Sequence, residues 1–384
     1  MKSKTRCIGI LTSGGDCPGL NAAIRGVVKA VKGDYGMEVV GVLDGFRGLI
    51  ENRTMPLESN MVSGILTHGG TILGTSRDKP SKMQMGGQVM DMTATAVENA
   101  RRLGIDCLVC LGGRGTQKNA YHLFKEGRLN VLTLPKTIDN DVAETDTTFG
   151  FDTAMNIATE AIDRLHTTAT SHQRIIVCEI MGHNAGWLAL GSGIAGGADV
   201  ILIPEIPYDL NVVADHLLRR HRSGKRFSII AVAEGAMSKE EAMEKKDESR
   251  KVKKHHGREE KKAKKTVSAL HRVEARYHLV EESKASRLAR QLQALTGMEA
   301  RVTSLGHVQR GGAPSAYDRL LCTNLGTHAA RYLAAGTYNV MVGIKGAGCV
   351  PVSLGKVVEQ RKIVPMDHTW VTSARLVGTC LGDE

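Results

Sequence analysis

The densest chemistry in the chain lies in Leu132-Thr-Leu-Pro-Lys-Thr-Ile-Asp-Asn-Asp-Val142. A short apolar run reads as a buried strand, and Pro135 forces the chain out of the sheet. Lys136, Thr137, Asp139 and Asp141 then follow within six residues. In an open parallel sheet, ligands sit just beyond the carboxyl ends of the strands. Two carboxylates, a hydroxyl and an ammonium delivered there suit proton removal and phosphate handling. A polar surface turn after a core strand would carry similar residues, so the other loops must decide.

Ser13-Gly-Gly-Asp-Cys-Pro-Gly-Leu-Asn21 joins an apolar strand at 6–12 to a helical stretch at 22–32. Such a turn lets backbone N–H groups approach a phosphate, and the helix N-terminus favours its charge. Gly69–Arg77 is a second Gly/Thr/Ser-rich loop and ends in an arginine suited to a phosphate. Gly112-Gly-Arg-Gly-Thr-Gln117 is a third, opening from a strand at 106–111. Arg174, Met181-Gly-His183, Glu234, Arg301 and Gly306-His-Val-Gln-Arg310 add cations and a carboxylate at further strand ends. None of these loops is G-x-G-x-x-G, a Walker A loop or, in a strand–turn–helix setting, the G-x-S-x-G nucleophile elbow. The set fits phosphoryl transfer, which needs positioning, charge neutralisation and one base on the accepting hydroxyl.

The elements that must hold these loops alternate. Strands are expected at 6–12, 38–44, 106–111, 130–134, 174–180, 199–203, 227–233, 300–304 and 339–344. Helices are expected at 22–32, 118–126, 151–172, 282–297 and 315–334. That alternation is the pattern of a doubly wound α/β protein, and 384 residues suffice for two domains. Residues 238–266 break it: positions 239–265 hold twelve Lys/Arg against seven Asp/Glu with scarcely any apolar period. They read as a charged insertion within a domain.

Composition narrows the partners. The net charge is +11, but +5 of it comes from those 27 positions, and only 4% of residues are aromatic. Stacking platforms for nucleic acid are therefore scarce, and affinity for small anionic substrates explains the remaining basicity as well as nucleic acid does. No apolar run reaches the ~18 residues of a membrane span. Met1–Arg6 leads straight into a strand without a signal-peptide core, so a cytoplasmic protein is expected. The eight cysteines are scattered; Cys107 and Cys110 form C-x-x-C inside an apolar strand and read as buried thiols.

Several stretches together resemble the 6-phosphofructokinases over nearly the whole length, apart from 238–266. They are Leu11–Arg25, Pro135–Asp141, Ser171-His-Gln-Arg174, Met181-Gly182, and Leu305–Gly312 with Asp318-Arg319. The resemblance implies two Rossmann-like, doubly wound lobes with mostly parallel sheets. A donor-binding lobe would comprise 1–150 and 308–335, and a fructose 6-phosphate-binding lobe 151–307 and 336–384. It implies a glycolytic kinase that moves a phosphoryl group to the 1-hydroxyl of fructose 6-phosphate with magnesium as cofactor. Asp139 would be the base, flanked by Thr137 and Asp141. Gly14, Arg77, Gly115 and Thr116 would meet the donor. Arg174, Arg301, His307 and Arg310 would hold the sugar phosphate, with Glu234 on its hydroxyls and Met181, Gly182 and His183 against it. A homodimer or homotetramer is implied, because family sites borrow the residues matching Arg174 and Arg301 from a neighbour.

Two positions depart from the family pattern. Arg114 stands where the turn normally carries the aspartate that serves magnesium. A guanidinium cannot ligate the metal, and the loss corresponds to about a thousandfold in rate. His183 stands where many members carry arginine. Lys136 resembles the pyrophosphate-using branch and Gly115 the ATP-using branch, a mixed pair that resembles the mixed-substrate group; ATP is taken as the expected donor, with pyrophosphate as the alternative. A non-catalytic, sugar-phosphate-binding regulatory paralogue with the same fold is the second reading.

Overall fold

In the computed structural model, residues 3–255 and 282–384 are described. Their strands, in chain order, begin with β1 (Cys7–Ser13), β2 (Glu38–Val42), β3 (Thr54–Pro56) and the hairpin β4–β5 (Met83–Met85, Gln88–Met90). Then come β6 (Cys107–Gly112), β7 (Val131–Pro135), β8 (Ile175–Ile180), β9 (Val200–Leu202) and β10 (Ser228–Ala233). β11 (Ala300–Ser304), β12 (Val340–Lys345) and β13 (Gly348–Ser353) complete the set. Two compact units result: Met1–Ala158 with His307–Ile363, and Thr159–Gly306 with Val364–Glu384.

The first unit is built on a seven-stranded sheet of order β13-β12-β7-β6-β1-β2-β3. Its five inner strands pair in parallel, and the two edges are antiparallel. β6 and β7 are buried along their full length, which explains why they read as continuous apolar runs rather than alternating ones. Both cysteines of the C-x-x-C are buried free thiols in β6. The helices Leu20–Tyr35 and Ala316–Ala335 pack closely; a Cβ on Gly326 would lie 2.6 Å from the Val27 backbone nitrogen. Asp318, fully buried, accepts the Gly150 and Thr153 N–H groups at 2.9 Å each. Its carboxylate thereby caps the start of the helix that begins at Phe151.

The second unit has a four-stranded, all-parallel sheet of order β11-β8-β10-β9. Its C-terminal segment is tied in by a Val200–Cys380 bridge and by the Val364 N–H, which donates to Glu205 at 3.0 Å.

Residues 336–363, expected in the second lobe, belong to the first unit. The reason is β12, which pairs in parallel with β7 through Val340–Leu132 and Met341–Thr133. β13 then lies at the sheet edge, where Pro351 costs no central ladder bond. Within the charged insertion 238–266, Lys239–His255 is helical and residues 256–266 lie outside the described residues. No helix among the described residues is long and apolar enough to cross a membrane.

Candidate active site

Three parallel strands bring the first set of loops together. Ser13 of β1 pairs with Gly112 of β6, and Gly112 with Pro135 of β7. The loops after all three therefore open at one edge of the sheet, the carboxyl edge where ligands bind. Ser76 bridges to Ser13, and its carbonyl accepts the Gly14 N–H at 2.9 Å, so the exposed Arg77 joins the same edge.

Lys136 is buried, and its ammonium donates to the Gly15 carbonyl. Burial lowers its pKa; Arg310 adds to that fall, while Cys17, Asp139 and Asp16 oppose it. The Arg310 guanidinium lies against Gly15, where a Cβ would displace the end of that flexible side chain. Arg310 ends a short 3-10 turn, Gly306–Arg310, that also carries the exposed His307. The Arg310 Nε is buried without a hydrogen-bond partner. Two cations thus crowd the glycine turn, an arrangement that attracts a polyanion.

The turn after β7 is internally braced. Thr137 Oγ1 accepts the Asp139 N–H at 3.0 Å, and Thr148 donates to the Thr137 carbonyl at 2.7 Å. Asn140 takes a left-handed φ of 52°, which reverses the chain between the two aspartates. Asp139 is half-buried; Asp141 is buried and lies 3.7 Å from the Arg361 Nε.

The third loop opens the helix Arg114–Gly127. Its N-cap, Gly113, supplies no side-chain cap, so the first-turn N–H groups face an incoming anion. Thr116 is buried and donates its hydroxyl to the Ser13 carbonyl at 3.1 Å, tying β1 to the helix. A Cβ on Gly115 would meet nothing within 4 Å, and the residue is exposed. Arg114 is half-buried, with its Nε lacking a partner. Its guanidinium offers donors only, so this turn does not fit a magnesium ligand.

In the second unit, Ile180 of β8 pairs with Ala233 of β10. Met181–His183 and Glu234 therefore leave the sheet side by side, and Glu234 accepts the His183 N–H at 2.7 Å. Gly182 (φ 148°) and His183 (φ 52°) both have positive φ, and His183 is exposed. Arg174 and Arg301 lie near the opposite edge, where Arg301 pairs with Ile176. The length of β8 separates Arg174 from Met181 by about 20 Å. One carboxylate serves both arginines: Glu299 accepts from Arg174 Nε at 2.6 Å and pairs with Arg301. The first-unit residues Gly14, Arg77, Arg114, Gly115, Thr116, Lys136, Thr137, Asp139, Asp141 and Arg310 thus share one sheet edge. The second-unit residues fall at two.

Sequence reasoning missed Glu299, Arg361 and Lys362. Glu299 had a faint signal, a carboxylate two positions before Arg301. Arg361 and Lys362 had none, since they stand some 220 positions from the turn they touch.

A family profile described as Phosphofructokinase matches residues 7–333. A protein named ATP-dependent 6-phosphofructokinase from Propionibacterium freudenreichii subsp. shermanii is 53% identical over 376 residues, covering 98% of this chain and 99% of that protein. One named pyrophosphate–fructose 6-phosphate 1-phosphotransferase from Streptomyces coelicolor is 44% identical over 357 residues, covering 93% and 96%. Among solved structures, T-state phosphofructokinase from Pichia pastoris superposes with a TM-score of 0.73 at 31% identity. That match covers 92% of this chain but 35% of the yeast chain, so this chain spans about a third of its length.

Proposed function

From the premise that the chain belongs to the phosphofructokinase family, we propose that it is a glycolytic kinase acting on fructose 6-phosphate. It transfers a phosphoryl group from ATP, with pyrophosphate as the alternative donor, to the 1-hydroxyl. The observation that carries this reading is the in-register ending of β1, β6 and β7, which sets the Lys136–Asp141 turn beside two glycine turns.

Asp139 takes the proton of the 1-hydroxyl as that oxygen bonds to the transferred phosphorus. The phosphorus–oxygen bond to the donor breaks, and its electron pair leaves with ADP or phosphate. Thr137 fixes Asp139 through the backbone bond at 3.0 Å, and Asp141 and Lys136 flank the reacting groups. Gly14, Gly115 and Thr116 present backbone to the donor, while Lys136, Arg77 and Arg114 neutralise its phosphates. Arg174, Arg301, His307 and Arg310 hold the sugar phosphate, Glu234 its hydroxyls, Met181 and Gly182 its ring, and His183 donates to a sugar or phosphate oxygen. Phosphofructokinases are generally magnesium-dependent, yet the turn that meets the metal carries Arg114 here. No step is therefore routed through it.

The open space at Gly115 favours ATP, and the ammonium of Lys136 over the Gly15 carbonyl suits pyrophosphate. The enzyme works as a homodimer or homotetramer in the cytoplasm. The roughly 20 Å along β8 supports the assembly, because Arg174 and Arg301 then reach a sugar phosphate held by a second copy. Arg114 favours one other reading, a sugar-phosphate-binding subunit without turnover.

A coupled assay for fructose 1,6-bisphosphate with ATP or pyrophosphate, on this protein and on Arg114→Asp, separates the readings. Turnover by this protein is the expected result, with Arg114→Asp faster by about a thousandfold in magnesium. Silence from both proteins with both donors, with fructose 6-phosphate still bound, would hand the case to the non-catalytic reading.

A further inference from the structure

The segment after β13 returns to the carboxyl edge of β7. Arg361 forms an antiparallel bridge with Val142, and the Lys362 N–H donates to the Asp141 carbonyl at 3.1 Å. The side chains continue the contact. Lys362 Nζ donates to Asn140 Oδ1 at 3.1 Å and to the Asp146 carbonyl, and Arg361 Nε stands 3.7 Å from Asp141 Oδ2. The residues on the carboxyl side of Asp139 are thus each held, Asn140 by its side-chain amide and Asp141 by its backbone carbonyl, with the Arg361 guanidinium at ion-pair distance from the Asp141 carboxylate. Neither Arg361 nor Lys362 falls within the 7–333 matched by the family profile.

We infer that Arg361 and Lys362 are positioning residues for the Asp139 turn, holding its left-handed bend at Asn140 in the shape that aims the base. A left-handed non-glycine residue costs free energy that its surroundings must offset. The backbone bond at Asp141 and the ammonium on Asn140 are placed to do that. Lys362 is half-buried, and desolvation lowers its pKa to about 8. Asp146 and Asp141, from the loop after β7, push it back up, and Lys345 at the end of β12 pulls it down. Arg361 is the other cation beside Asp141. The grip on Asn140 therefore weakens as the ammonium loses its proton above pH 8.

The inference rests on Asp139 being the base, and its test includes a readout that does not. Lys362→Met, Lys362→Arg and Arg361→Gln are compared with the parent protein by steady-state kinetics and by amide hydrogen exchange of peptides covering 136–146. Lys362→Met is expected to lower kcat about tenfold with KM for fructose 6-phosphate unchanged, and to abolish an alkaline limb near pH 8. Lys362→Arg restores most of kcat, and Arg361→Gln lowers it severalfold. In Lys362→Met, exchange at 136–146 quickens while peptides of β1 and β6 keep the parent rate. An unchanged kcat and pH profile, or unchanged exchange in the turn, overturns the inference. If the parent shows no turnover with either donor, the functional reading fails by itself, and the exchange data alone decide whether these residues set the turn.

Discussion

Arg174 donates to Glu299 at 2.6 Å across the start of β8 and β11, and the other oxygen of that carboxylate holds Arg301. Two cations proposed to hold a sugar phosphate thus share one carboxylate, which offsets half of their charge. An incoming phosphate must displace Glu299 or share the arginines with it. Glu299→Gln keeps the shape and removes the charge. It should lower KM for fructose 6-phosphate about threefold at low salt, with the gain vanishing as ionic strength rises. A KM that rises instead would mean that Glu299 acts by aiming the guanidinium groups.

Asp139→Asn removes the proposed proton acceptor and leaves the backbone bond to Thr137 intact. The expected loss is about a thousandfold in kcat with little change in KM for either substrate. Matched losses in kcat and affinity would assign the carboxylate to binding.

The fold was legible because its central strands carry their signature in composition: β6 is apolar throughout, β7 is apolar but for Thr133, and both are buried along their length. The gathering of the first-unit loops at one sheet edge was legible for the same reason. The loops follow those strands directly, so naming the strands named the edge. Short or edge elements such as β3, the β4–β5 hairpin and β13 escaped, because three residues or a Pro351 give no period to detect. The grip of Lys362 on Asn140 could not be read at all. A contact across 222 residues is set by how β12 docks on β7, and a single sequence carries no trace of that.

Gly115→Asp tests the donor. Nothing lies within 4 Å of the added Cβ, so the fold should tolerate the change. The new carboxylate would stand in the first turn of a helix without a side-chain cap, at the end proposed to meet the donor phosphates. ATP should lose about a hundredfold in kcat/KM, because the larger donor needs the filled space, while pyrophosphate loses less. Equal losses for both donors would show that the space does not discriminate.

Lys362 also makes stability depend on pH in a direction that can be derived. Its folded pKa is about 8, below the roughly 10.4 of an exposed lysine. Between those values the unfolded chain holds the proton and the folded chain does not. Unfolding then takes up a proton, so stability rises with pH through this window. Below pH 8 both states carry the charge, and the cost of burying it is present in full. Relative to Lys362→Met, the parent protein should therefore gain about 2–3 kcal/mol between pH 8 and pH 10. Denaturant unfolding of both proteins across that range measures the difference. A parent whose margin over Lys362→Met stays flat would place the ammonium in contact with water, and the bond to Asn140 would then carry little of the turn.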